Sequence, residues 1–78
     1  MKRKQIISKR LKGLMAEHDV TIKDLSKKIG ISENTLFLKI NGQRDWWFRE
    51  TIFIVKEFGY SEVKDVFPEL YEDALRVS

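Results

Sequence analysis

Cysteine is absent from this 78-residue chain. Its absence excludes a disulfide framework, a thiolate metal site and a cysteine nucleophile. The single histidine, His18, leaves no histidine cluster for a metal ion. It is expected at the end of a first helix, where a cation is mildly favoured. No apolar run approaches 18 residues, so no spanning helix is expected. No apolar stretch follows Met1-Lys2-Arg3-Lys4 in the manner of a secretory signal, and the expected location is the cytoplasm. There is no glycine-rich phosphate loop, no serine–histidine–acid arrangement and no paired-carboxylate spacing that stands out. An enzyme is therefore the poorest reading, and no cofactor, metal or small-molecule substrate is expected.

Hydrophobic residues make up 42% of the chain and aromatic residues 12%, enough for one core but not two. Without a covalent staple, packing or oligomerisation has to hold so small a fold. Charge is unevenly distributed. Residues 1–44 carry eleven Lys/Arg against four Asp/Glu, a net +7, whereas residues 45–78 carry four against eight, a net −4. A basic half joined to an acidic half suits a polyanion-binding surface backed by another element. Two solvated helices of opposite sign suit it as well.

Hydrophobic periodicity predicts helices throughout, and no segment alternates as a strand does. The first helix is expected over about Lys4 to His18, with Ile7, Leu11, Leu14 and Met15 on one stripe. Lys9, Arg10 and Lys12 fall off that stripe and should be wet. Gly13, inside this helix, costs about 1 kcal/mol relative to Ala and is a candidate for close approach of another helix. Thr21 with Asp24 three residues on resembles a capping box for the second helix, which Gly30 ends. Ser32 caps a third helix running to about Ile40, with Gly42 as its breaker. A fourth helix spans about Trp46 or Phe48 to Phe58, followed by Gly59. A fifth starts after Ser61 and carries Val63, Val66 and Phe67 up to Pro68. A short sixth helix from Glu69 to about Val77 is the least defined, and Glu69, Glu72 and Asp73 are expected to form its solvated face.

The informative stretch is Thr21 to Arg44. Two helices joined by a three- or four-residue glycine-containing turn make a helix-turn-helix. The first helix needs a small residue where the second backbone crosses, and Ser26 supplies it. The turn needs a residue tolerant of positive φ, and Gly30 supplies it four residues later. Leu25, Ile29, Ile31, Leu36 and Ile40 provide the apolar flanks. A single domain over residues 1–78 is expected, with this motif at about 21–42 and residues 68–78 least certain.

At 100° per residue, Leu36 and Ile40 lie about 40° apart on the third helix and define its core face. The opposite ridge carries Asn34, Phe37, Leu38 and Asn41, with Thr35 at its edge. Asn can bond adenine bidentately, Glu can accept from cytosine, and Phe or Leu can pack on thymine methyls. The amino end of the second helix at Thr21-Ile22-Lys23 offers N–H groups and a positive dipole end for phosphate. Lys28, Thr35, Lys39, Asn41, Gln43 and Arg44 are further phosphate candidates, and the Lys2-Arg3-Lys4 arm adds charge. The alternative is that Phe37 and Leu38 are simply core.

The joint spacing of Leu25-Ser26, Gly30-Ile31-Ser32, Leu36 and Gly42 resembles the phage-repressor (XRE/Cro/CI-like) helix-turn-helix family. Thr35-Leu36-Phe37-Leu38-Lys39-Ile40-Asn41-Gly42-Gln43-Arg44 is similar to the TLxLKINGKR-like recognition segment of small phage-encoded regulators. The likeness covers about Ile7 to Phe67. It implies a five-helix, lambda-repressor-like all-α domain that binds double-stranded DNA in the major groove and represses transcription; the short sixth helix read from residues 69–77 would be an addition to it. It also implies base reading by Ser32, Glu33, Asn34, Phe37 and Leu38. Ile22 and Phe37 stand where that family commonly has polar residues.

Trp46-Trp47-Phe48 introduces a fourth helix that is apolar nearly all round. A small domain hides one stripe of it, expected to be Ile52, Val55 and Trp46. Trp47, Phe48, Phe53 and Ile54 then form an exposed patch, which usually marks an interface, here that of a homodimer on a two-fold operator. A thick local core of large rings is the alternative. Two further functional readings stay open. One is a protein-interaction module on the same fold, such as an anti-repressor or partner subunit. The other is a laboratory-altered family member with weakened DNA binding.

Overall fold

The computed structural model describes residues 5–77, and among these every regular element is helical. In chain order they are α1 (Lys9–Glu17), α2 (Ile22–Ile29), α3 (Glu33–Ile40), α4 (Phe48–Glu57), α5 (Val63–Val66) and α6 (Pro68–Val77). The all-α expectation holds. The sixth helix is a full ten-residue element that begins on Pro68, a position where the missing N–H costs nothing.

Helix α1 starts five residues later than the periodicity suggests. The Ser8 N–H donates to the Ile40 carbonyl at 2.9 Å, so the segment ahead of α1 pairs with the end of α3 instead of adding a helical turn. Ile7 consequently leaves the stripe of Leu11, Leu14 and Met15 and is 39% exposed. The start of α1 has no cap of its own from Ser8. Glu69 of α6 supplies one, its Oε2 accepting the Arg10 N–H at 3.0 Å beside the positive helix end. Glu69 is thus half-buried capping machinery, not part of a solvated face. Arg10 does not simply float in water either: Nε donates to the Asp65 carbonyl at 3.2 Å and Nη2 to the Tyr60 hydroxyl at 3.1 Å.

Helix α2 carries a complete capping box. Thr21 Oγ1 accepts the Asp24 N–H at 3.0 Å, and Asp24 Oδ2 accepts the Thr21 N–H at 3.2 Å. Gly30 ends the helix at φ 88°, a conformation that costs an L side chain about 1–2 kcal/mol. Ser32 caps α3, its Oγ accepting the Thr35 N–H at 3.0 Å. Buried Ser26 returns its hydroxyl to the Lys23 carbonyl at 3.0 Å, leaving no polar group facing α3 unpaired.

The core joins Leu11, Leu14 and Met15 of α1, Leu25 of α2, Leu36 and Ile40 of α3, Ile54 and Val55 of α4, and Val66 with Phe67 around α5. Trp46 closes it edge-to-face on Phe67, ring centroids 5.1 Å apart. One interface expectation fails here: Ile54 is fully buried. Because α4 begins at Phe48, Trp46 lies outside its helical phase. The inward face is set instead by Thr51, Ile54, Val55 and Phe58 at i, i+3, i+4 and i+7. Ile52 stays half-buried at the edge. Helix α5 is preceded by Glu62 as N-cap, not Ser61, and no side chain caps it. A Cβ at Gly13 would meet nothing within 4 Å, so no helix approaches there.

Candidate nucleic-acid interface

The α2–turn–α3 unit presents one side of α3 outward. Leu36 and Ile40 are buried beneath it, while Glu33 and Asn34 are exposed and Phe37 is 50% exposed. Leu38, expected on the ridge opposite Leu36, is half-buried. Ser32 is exposed at the helix start, its hydroxyl donating to Thr35 Oγ1 at 2.8 Å. Of the five residues expected to read bases, Ser32, Glu33, Asn34 and Phe37 are exposed and Leu38 is half-buried.

The expected phosphate ligands separate into three groups. Thr21 and Lys23 are exposed at the start of α2, and Gln43 and Arg44 are exposed beyond α3. The Asp24 carboxyl also sits at the α2 start. Its contact with the Thr21 side chain, and next with the Thr21 backbone N–H, holds it below the ordinary carboxylate value. An anion arriving at this helix end therefore meets a charged neighbour.

A second group is exposed or half-exposed but already engaged. Lys28 pairs with Glu57 at 3.5 Å, and half-buried Thr35 takes part in the Ser32 cap. Asn41 donates Nδ2 to the Phe37 carbonyl at 2.9 Å, and its Oδ1 accepts from Lys12 Nζ at 2.9 Å. The second N–H of the Asn41 amide remains for an acceptor.

Lys39 stands apart from both groups. Its side chain is 7% exposed and its Nζ donates to both carboxylate oxygens of Glu50, at 2.5 and 2.6 Å. The expectation that it meets phosphate is corrected: the ammonium faces α4. A signal was present, since Lys39 lies about 60° from Leu36 on the wheel, nearer the core face than the ridge. The Lys2-Arg3-Lys4 arm lies outside the described residues.

Lys12 was missed. It reaches across from α1 to the end of α3, and no local pattern connects residues 29 positions apart. The aromatic patch is divided. Trp47, 58% exposed, and Phe53 line a cleft of about 850 Å³ between the helix-turn-helix turn and the start of α4. Phe48, 76% exposed, faces the other way, toward Val63, Leu70 and Tyr71.

Residues 10–45 match the family model of the Cro/C1-type HTH DNA-binding domain. The matched stretch opens in α1 and closes just beyond α3, so it contains the whole helix-turn-helix and every candidate base reader. The match supports a DNA-binding regulator. Six helices without a strand among the described residues accord with a lambda-repressor-like all-α fold around that motif. Comparison with curated proteins and with solved structures found no match. No helix among the described residues is long and apolar enough to cross a membrane.

Proposed function

We propose that the chain is a sequence-specific double-stranded DNA-binding transcriptional regulator of the XRE/Cro/CI type, acting as a phage-type repressor. Helix α3 enters the major groove and the bound protein blocks polymerase sterically. The observation that carries this reading is the exposure of Asn34 and Phe37 on α3 while Leu36 and Ile40 are buried beneath it. Ser32, Glu33 and Leu38 complete the reading surface. Thr21, Lys23, Gln43 and Arg44 hold phosphates, with Lys28, Thr35 and Asn41 at the margins. The 78 residues act as one domain, in the cytoplasm with the DNA.

The regulator binds as a homodimer, because two-fold proteins match palindromic half-sites about one helical turn apart. The exposed aromatic residues around α4 offer two separate surfaces for the contact, Trp47 with Phe53 on one side and Phe48 on the other. Light scattering tests this part, and a monomer at high concentration refutes it.

Titration onto random-sequence duplex DNA at two salt concentrations tests the main reading. Binding that weakens with salt along a negative log–log slope is expected. Little DNA binding combined with strong self-association would favour a protein-interaction module instead.

A further inference from the structure

Lys39 and Glu50 join the last turn of α3 to the first turn of α4 through a buried ion pair. Glu50 Oε1 also accepts the Trp47 N–H at 2.8 Å, which ties the entry to α4 into the same cluster. The Trp47 ring lies over the ammonium, its centroid 5.2 Å from Lys39 Nζ, and the Arg49 guanidinium carbon is 4.9 Å from the same ring. Withdrawing two charges from water is costly. Apolar residues of similar volume at such a site are often as stable or more so. Stability alone is thus a poor reason for the pair. An ion pair with three directed hydrogen bonds admits one geometry, whereas an apolar contact can slide.

What that geometry fixes is the segment between the two helices, which carries Gln43 and Arg44. Its other side is already held: the Ser8 N–H bonds the Ile40 carbonyl, and Trp46 Nε1 donates to Ser8 Oγ at 3.3 Å. The Lys39–Glu50 pair supplies a further tie.

We propose that Lys39 and Glu50 are positioning residues for DNA binding, setting the angle between α3 and α4 and so placing Gln43 and Arg44 against the phosphate backbone. Neither residue touches DNA. This role rests on the DNA-binding reading above.

The double variant Lys39→Met/Glu50→Leu tests it, with thermal melting by circular dichroism and a salt series of binding to random-sequence duplex DNA. A melting temperature at or above the parent's is expected, with affinity about tenfold lower and a salt slope shallower by about one. A stable double variant with the parent's affinity and slope overturns the proposal. Should the double variant not fold, Glu50→Gln keeps an acceptor for the Trp47 N–H while removing the ionic partner. Measured at a temperature where its helical signal equals the parent's, it shows the same loss, and parental binding overturns the proposal here too. A parent without salt-dependent binding brings down the DNA reading and this role together. A parent that binds beside an unchanged variant brings down this role alone.

Discussion

A Cβ placed on Gly42 would lie 2.5 Å from the backbone nitrogen of Ile6, inside any permissible contact. Gly42 also adopts φ 77°, where an L side chain is strained. The obstructing atoms are backbone, held in place by the Ser8–Ile40 hydrogen bond, so neither chain can easily give way. Gly42→Ala should therefore cost more than about 2 kcal/mol, strain and displacement acting together. Urea unfolding measures it, and a loss below half that value would show that the crossing is loose.

The opposite result is expected at Gly13. Its position is in the middle of α1, it faces water, and an added Cβ meets nothing. Gly13→Ala should raise stability by about 0.5–1 kcal/mol through helix propensity alone. An unchanged or lower unfolding midpoint would contradict the open environment of Gly13.

Lys39→Ala leaves the Glu50 carboxylate buried without its cation. A loss of about 3–5 kcal/mol follows from breaking such a pair. A change of less than 1 kcal/mol in denaturant titration would mean that Glu50 reaches solvent.

The carboxyl of Asp24 should titrate below 3.8, its ordinary value, because Thr21 stabilises the charged form. Its folded value is depressed, so its contribution to α2 is present at pH values above 3.8. That contribution is lost as pH falls through the lower folded value. Carboxyl NMR across the acid range gives the midpoint, and Asp24→Asn should remove this part of the acid sensitivity. A midpoint above 3.8 would contradict the capping box.

The proposed DNA contacts divide by kind. Asn34→Ala should cost about 1–3 kcal/mol at a selected operator and mainly relax sequence preference. Arg44→Ala should weaken all sequences alike and reduce the salt slope by about one. Competition binding with selected and random duplexes separates the two. If Asn34→Ala keeps full preference, the reading face lies elsewhere.

The helix-turn-helix was legible because its determinants are local. Thr21 and Asp24, Ser26 and Gly30, Ser32 and Thr35 each lie three or four residues apart, and one turn of backbone brings each pair together. Features that depend on distant partners were not legible. Lys39 reads as a wet lysine until α4 brings Glu50 to it, and Asn41 reads as a free amide until α1 delivers Lys12. Glu69 looks like one more surface carboxylate, yet it caps a helix 59 residues earlier. Ile54 was misplaced for a different reason. Trp46, grouped with Ile52 and Val55 on the hidden stripe, lies before the first turn, and the inward face is set by Thr51, Ile54 and Val55.

With its lysine turned toward α4, α3 as the proposed recognition helix would meet a groove with little ionic attraction of its own. A duplex lying on Phe37 and Leu38 would be sorted by the fit of methyl groups, which dissolved ions do not screen. Such a reader holds its preference among sites as salt rises, even while its overall grip declines.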